Sequence, residues 1–214
     1  MRMDLALFDF DGTITTGNTY TPFLQYASTA TMKRRARRQL LWPWLGYKFG
    51  LVSAVALRRQ ATAYVLAGRR LTDIRALGAR YARERLPRVL RPAAMARIAW
   101  HRRRGDRVVV VSASLDAYLV PWCRTHGLEL ICSELETDGS MLTGRYRGGD
   151  CAGAAKATRV LERFRLDDYG SVHAYGDTAE DREMLALAHH PVYRWRAAWR
   201  RGARRASAGG LLRD

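Results

Sequence analysis

Two patterns of apolar and polar positions divide the chain. Leu5–Phe8 is an unbroken apolar run that stops at Asp9, and residues 107–114 contain four consecutive valines. Short apolar runs bounded by polar turn residues predict strands buried on both faces of a parallel sheet. From Thr21 to Leu90 apolar residues instead recur three and four positions apart. That spacing predicts helices over 20–26, 31–49, 51–66 and 71–85, with Gly68, Pro87 and Pro92 as breaks and no strand. Residues 14–20, rich in Thr and Gly, read as a loop or short flap.

Beyond Pro92 the two patterns alternate. Helices are predicted over 93–103, 115–126, 153–164 and 180–188, and strands over 107–114, 128–131, 171–177 and 191–193. Asp138-Gly139 marks a hairpin between short strands. The arrangement predicts an α/β fold with a parallel sheet flanked by helices and an all-helical insertion after the first strand. The arginine-rich segment 194–205 reads as a solvated helix or frayed terminus rather than a nucleic-acid arm.

Composition adds compartment and partners. The 214 residues suffice for one α/β domain with an inserted module. Cys123, Cys132 and Cys151 form no C-x-x-C pair, which argues against a disulfide framework or a structural zinc site. The first apolar run is too short for a secretory signal, and a cytoplasmic location is the expectation. The formal charge is +17, from 37 basic and 20 acidic residues, so the surface should attract phosphates, nucleic acid or anionic membrane. No RRM, zinc-finger or homeodomain signature accompanies that charge, so a nucleic-acid-binding role rests on charge alone.

Inside the insertion, Lys33-Arg34-Arg35-Ala36-Arg37-Arg38 precedes an apolar stretch containing Trp42, Trp44, Tyr47 and Phe49. Pro43, Gly46, Lys48 and Gly50 interrupt it, which argues against a spanning helix. Peripheral contact with an anionic bilayer is one reading. The favoured one is a helix pair packing its aromatic face on the main domain.

The chemistry collects where predicted strands end. Asp9 and Asp11 follow the first strand, and two carboxylates so close require a cation between them or a proton on one of them. In an extended chain they point to opposite sides, so they can serve different roles. An EF-hand fails, because its sixth and twelfth positions would be Ile14 and Tyr20. Ser112 closes the valine strand without a G-x-S-x-G elbow, and Lys156 lacks the Gly-Lys-Ser/Thr context of a nucleotide P-loop. A hydroxyl and a cation so placed can hold phosphate oxygens. Asp177 and Asp181 follow another strand, where Asp177 can complete an oxygen-rich magnesium site.

With DFDGT at 9–13, Ser112, Lys156 and GDTAED at 176–181 in this order, the sequence resembles the haloacid dehalogenase-like hydrolase superfamily, nearest its phosphoserine-phosphatase-like subgroup. The resemblance implies a Rossmann-like core at 1–16 and 92–214 and a helical C1 cap at 17–91. It implies Mg2+-dependent hydrolysis of a small phosphorylated metabolite through an aspartyl-phosphate. Asp9 matches the nucleophile and Asp11 the general acid/base. Gly12, Thr13, Ser112, Ala113 and Lys156 match phosphate-binding positions, Asp9, Asp11 and Asp177 the metal set, and Asp181 the supporting acid. Where phosphoserine phosphatases carry a Glu to meet the substrate ammonium, this chain has Asn18, which cannot form that ion pair. Arg58 and Arg59 are further cap residues, explained equally well by an anionic or polar leaving group and by helix packing or solvation. A lipid-phosphate phosphatase and a phosphotransferase using the same intermediate are the alternatives. Oligomeric state has no signal in the sequence.

Overall fold

The computed structural model describes residues 2–197. After β1 (Leu5–Phe8) come five helices, α1 (Tyr20–Ala27), α2 (Ala30–Gln39), α3 (Leu41–Lys48), α4 (Ala54–Leu66) and α5 (Leu71–Glu84). The chain then continues through α6 (Pro92–Arg103), β2 (Arg107–Leu115), α7 (Asp116–His126), β3 (Glu129–Asp138) and β4 (Met141–Arg147). It ends in α8 (Ala154–Arg163), β5 (Val172–Gly176), α9 (Arg182–Ala186), β6 (His190–Tyr193) and β7 (Arg196–Ala197).

The strands form one sheet in the order β4-β3-β2-β1-β5-β6-β7. Pairing is parallel from β3 across to β6 and antiparallel at the two outer pairs. β1 is therefore central, with Phe8 opposite Val110 on one side and Tyr175 on the other. The strand order reverses beside β1, the position at which open α/β sheets bind ligands beyond their strand ends.

Alternate residues of the central strands enter different cores, as their two-residue period requires. Ala6, Phe8, Val108 and Val110 pack with residues of α1, α5, α6 and α7, whereas Leu5, Leu7, Val109 and Val111 pack with those of α8 and α9. The apolar runs of β1 and β2 are buried because both faces of the sheet are covered.

The helical segment leaves and rejoins the sheet layer at adjacent points. Thr15 and Leu90 form a bridge, Thr16 N–H donates to Val89 O at 2.8 Å, and Arg91 N–H donates to Ile14 O at 2.8 Å. It rests on the main layer at α5, whose Gly78 faces the backbone of α7 so closely that a Cβ would lie 2.1 Å from the Ala117 carbonyl oxygen. At β4, Gly144 takes φ +80° and faces α4, where a Cβ would lie 2.7 Å from the Cα of Ala63. Both contacts exclude larger side chains.

Several expectations need correction. The helix expected over 31–49 is two helices that meet at Leu40, and the next begins at Ala54 because Ser53 caps it, accepting from Ala56 N–H at 3.1 Å. The strand expected over 128–131 runs on to Asp138, where the hairpin turns into β4. The aromatic face favoured as packed on the main domain is exposed: neither α2 nor α3 contains a buried residue. Most of the 194–205 segment lies outside the described residues.

Candidate active site

β1 delivers Asp9 to the end of the sheet, where its N–H donates to Tyr175 O of β5 at 2.9 Å. The chain then makes a single wide turn over Phe10–Ile14, closed by Thr15 N–H donating to Phe10 O at 2.9 Å. Gly12 takes φ +80° in this turn, and a Cβ there would lie 2.2 Å from Asp177 Oδ2. Only glycine satisfies both the backbone and the adjacent carboxylate.

Three buried charges meet beneath the turn. Lys156, from the first turn of α8, donates from Nζ to Asp9 Oδ1 at 2.5 Å and to Asp181 Oδ1 at 2.6 Å. All three are almost fully buried. Asp181 Oδ2 accepts from the N–H groups of Asp177 at 3.0 Å and Thr178 at 2.9 Å and from Thr178 Oγ1 at 3.1 Å. Both oxygens of Asp181 are thus engaged, and the residue fixes Lys156 and the Asp177 loop together. Thr13 Oγ1 donates to Asp177 Oδ1 at 3.3 Å.

Asp11 is held apart from this cluster. Its Oδ1 accepts from Thr19 N–H at 2.8 Å and from Thr19 Oγ1 at 2.5 Å, and its Oδ2 accepts from Ser114 Oγ at 2.6 Å. Thr19 is steadied in turn by Tyr118 OH at 3.1 Å. The residue preceding α1 thereby contributes one fixing group and β2 the other. Neither was expected, although Ser114 lies two residues after Ser112 on one strand and so on the same side of it.

Electrostatics distinguishes the carboxylates. Burial raises Asp9 to about 8 despite Lys156, with Asp181 and Asp11 adding to the rise. Burial also raises Asp11, opposed by the Ser114 and Thr19 hydrogen bonds, and raises Asp177, to which Asp181 adds. For Lys156 burial acts downward, but Asp9 and Asp181 outweigh it and raise its pKa. With Lys156 as the one cation beside Asp9, Asp177 and Asp181, and Asp11 close by, the site is short of positive charge.

The donor set fits a hard divalent cation. Ligand oxygens of Asp9, Asp177 and Asp181 lie within 4.8 Å of one another. Those of Asp181 are occupied, whereas among the described residues no donor meets Asp9 Oδ2 or Asp177 Oδ2. Asp9 and Asp177 are therefore the carboxylates free to meet a divalent cation.

These residues line a cavity of about 530 Å³. Ser112, Ala113 and Gly12 also face it; Ser112 Oγ accepts from Ser114 N–H at 3.1 Å, and Gly12 N–H donates to Thr15 Oγ1 at 3.3 Å. Asn18 lines the opening, but its Oδ1 accepts from Thr21 N–H at 2.9 Å and caps α1. Arg58 lines it too, bound to Asp150 at 2.8 Å and Glu180 at 3.0 Å, a tie between α4 and the sheet layer that sequence reasoning did not anticipate. Arg59 is a correction: one position along α4, it is exposed and faces Gly144 and Arg145 outside the cavity.

The chain belongs to the haloacid dehalogenase-like hydrolase family, whose model matches residues 6–186. Within it the chain is similar in fold to phosphoserine phosphatases. Protein CicA of Caulobacter vibrioides is 32% identical over 200 residues, 89% of this chain and 85% of that protein. A histidinol-phosphatase of Neisseria meningitidis is 33% identical over 100 residues, 43% of this chain and 45% of that one. In fold the chain matches a Bordetella pertussis Tohama I protein of unknown function (TM-score 0.80, 23% identity, 90% of each chain). It also matches a probable phosphoserine phosphatase from Vibrio cholerae (TM-score 0.67, 18% identity), covering 90% of this chain and 56% of that one.

Proposed function

We propose that this hydrolase is a magnesium-dependent phosphatase acting on small phosphomonoesters, and that it forms an aspartyl-phosphate on Asp9. The observation that carries the reading is the division of labour at Asp9: Oδ1 is fixed by Lys156, and among the described residues Oδ2 has no donor. A carboxylate oriented through one oxygen can attack with the other.

Asp9 attacks phosphorus, forming the Asp9 O–P bond as the ester P–O bond breaks, and Asp11 gives a proton to the departing alcohol oxygen. Its raised pKa favours the protonated form that this step needs. Asp11 then takes a proton from water, whose oxygen attacks phosphorus, and the Asp9 O–P bond breaks to release phosphate. Lys156, Ser112 and the Ala113 N–H steady the phosphoryl oxygens. When bound, magnesium supplies charge neutralisation at the phosphoryl group.

The cavity suits a leaving group of metabolite size. Asn18 and Arg58 already have partners within the protein, so they shape its wall rather than offering an unpaired charge. Cys123, Cys132 and Cys151 are buried free thiols, which supports a cytoplasmic setting.

Phosphate release from a panel of phosphomonoesters, with magnesium or with chelator, tests the reading. Wild type is expected to release phosphate only with magnesium, and Asp9→Asn and Asp11→Asn to lose the activity. Undiminished release by Asp9→Asn, or release in chelator, overturns it. Transfer of the phosphoryl group to an added alcohol in preference to water would reassign the enzyme as a phosphotransferase.

A further inference from the structure

The α2–α3 hairpin has a surface that the catalytic reading leaves unused. Between Asp11 and Asp73 the sequence contains no acidic residue. Within that stretch α2 presents Lys33, Arg34, Arg35, Arg37 and Arg38, all exposed. The residues that follow expose large apolar side chains: Trp42 is 75% accessible, Phe49 77% and Leu51 83%, with Leu41, Trp44 and Tyr47 also exposed. Isolated exposed apolar residues are ordinary, but a contiguous group marks an interaction surface.

Some of these cations and apolar groups adjoin one another. Lys33 and Arg37 line the same groove as Leu41 and Trp44, and Lys48 Nζ sits 5.5 Å from the Trp44 ring centre. Tyr47, one turn after Trp44, lines the catalytic cavity together with Ala54. The patch therefore borders the cavity mouth. No helix among the described residues is long and apolar enough to cross a membrane, so this segment can lie on a bilayer but not span it.

We propose that the α2–α3 hairpin docks the enzyme on an anionic lipid surface. The cations meet lipid headgroups, and Trp42, Phe49 and Leu51 enter the boundary between headgroups and acyl chains. Charge selects an anionic partner, and the exposure of Trp42, Phe49 and Leu51 favours an apolar interior over a nucleic-acid backbone. Docking in this way brings the cavity mouth close to the bilayer. The proposal is independent of the aspartyl-phosphate mechanism and stands or falls separately.

The test is co-sedimentation of the full chain with vesicles of phosphatidylcholine alone and of equal parts phosphatidylcholine and phosphatidylglycerol. Wild type is expected on the mixed vesicles and not on the neutral ones. Arg34→Glu/Arg35→Glu/Arg38→Glu should lower binding roughly a hundredfold, at about a factor of five per cation. Trp42→Ser/Phe49→Ser/Leu51→Ser should lower it at least roughly tenfold. Both variants replace exposed side chains outside the catalytic cavity, and an unchanged thermal unfolding midpoint verifies that they fold. Equal binding to both vesicle types, no binding to either, or binding that survives the apolar substitutions overturns the proposal. So does a preference for a DNA duplex over the mixed vesicles.

Discussion

Lys156 links structure and chemistry at the level of single residues, because it is the cation that Asp9 and Asp181 share. Removing it leaves two buried carboxylates facing each other. Lys156→Met is expected to destabilise the protein by about 3–5 kcal/mol, the usual cost of breaking a buried ion pair from one side. A urea titration measures this. Asp9→Asn should be tolerated far better, since Lys156 keeps Asp181 and a group whose ionisation burial opposes becomes neutral. The same burial couples magnesium to protons. Asp9, raised to about 8, must lose its proton to bind the ion, so affinity should increase up to about tenfold per pH unit below 8 and level off above it. Calorimetry in buffers of different ionisation enthalpy would show the proton release; pH-independent affinity without release would refute the coupling. Asp9, Asp11, Lys156, Asp177 and Asp181 stood out in the sequence by occurring together, in this order, at predicted strand and helix ends, and the structure brings them into one region. Thr19 did not, since its role is a long-range bond to Asp11 that no local pattern encodes.

Strands were more legible than helix boundaries, and the reason is burial. The valines of β2 are covered on both faces and admit little but apolar residues. In β3, residues such as Glu134 are exposed, and the polar content hid the second half of the strand. The break at Leu40 was hidden too, because a single residue separates α2 from α3 and the apolar spacing continues across it. Nor could sequence decide whether the aromatics of α3 are covered, since exposure depends on what lies opposite. Packing between elements makes its own expectation. Gly78→Ala gains helix propensity but drives a Cβ toward the Ala117 carbonyl, and the clash should win. A loss of about 1–3 kcal/mol is expected by urea unfolding, and a gain would show that α5 can move off α7 without cost.

Across the whole molecule, a polar chain ties both ends of the central sheet to α6. His101 is fully buried, with Nδ1 2.8 Å from Asp106 and Nε2 2.9 Å from Tyr175 OH. Burial lowers its pKa, opposed by the Asp106 hydrogen bond. A histidine lowered on folding binds more protons in the unfolded chain, so its contribution is complete above the unfolded value near 6.5 and is lost as pH falls below it. The stability advantage of wild type over His101→Gln should therefore shrink between pH 7 and pH 5, as unfolding midpoints would show. An advantage constant across that interval would contradict the assignment. The same sheet brings strand ends from β1, β2 and β5 together with the first turn of α8, which is why acids and a lysine far apart in sequence form one site.

Acid-quenched intact mass of Asp11→Asn, mixed with magnesium and an aryl phosphate whose leaving group needs no protonation, tests the nucleophile most directly. With no base to activate water, the chain should accumulate one phosphoryl group, located on Asp9 by peptide mapping. A phosphoryl group on another residue, or an unmodified chain while Asp9→Asn turns over the ester as fast as wild type, would contradict the mechanism.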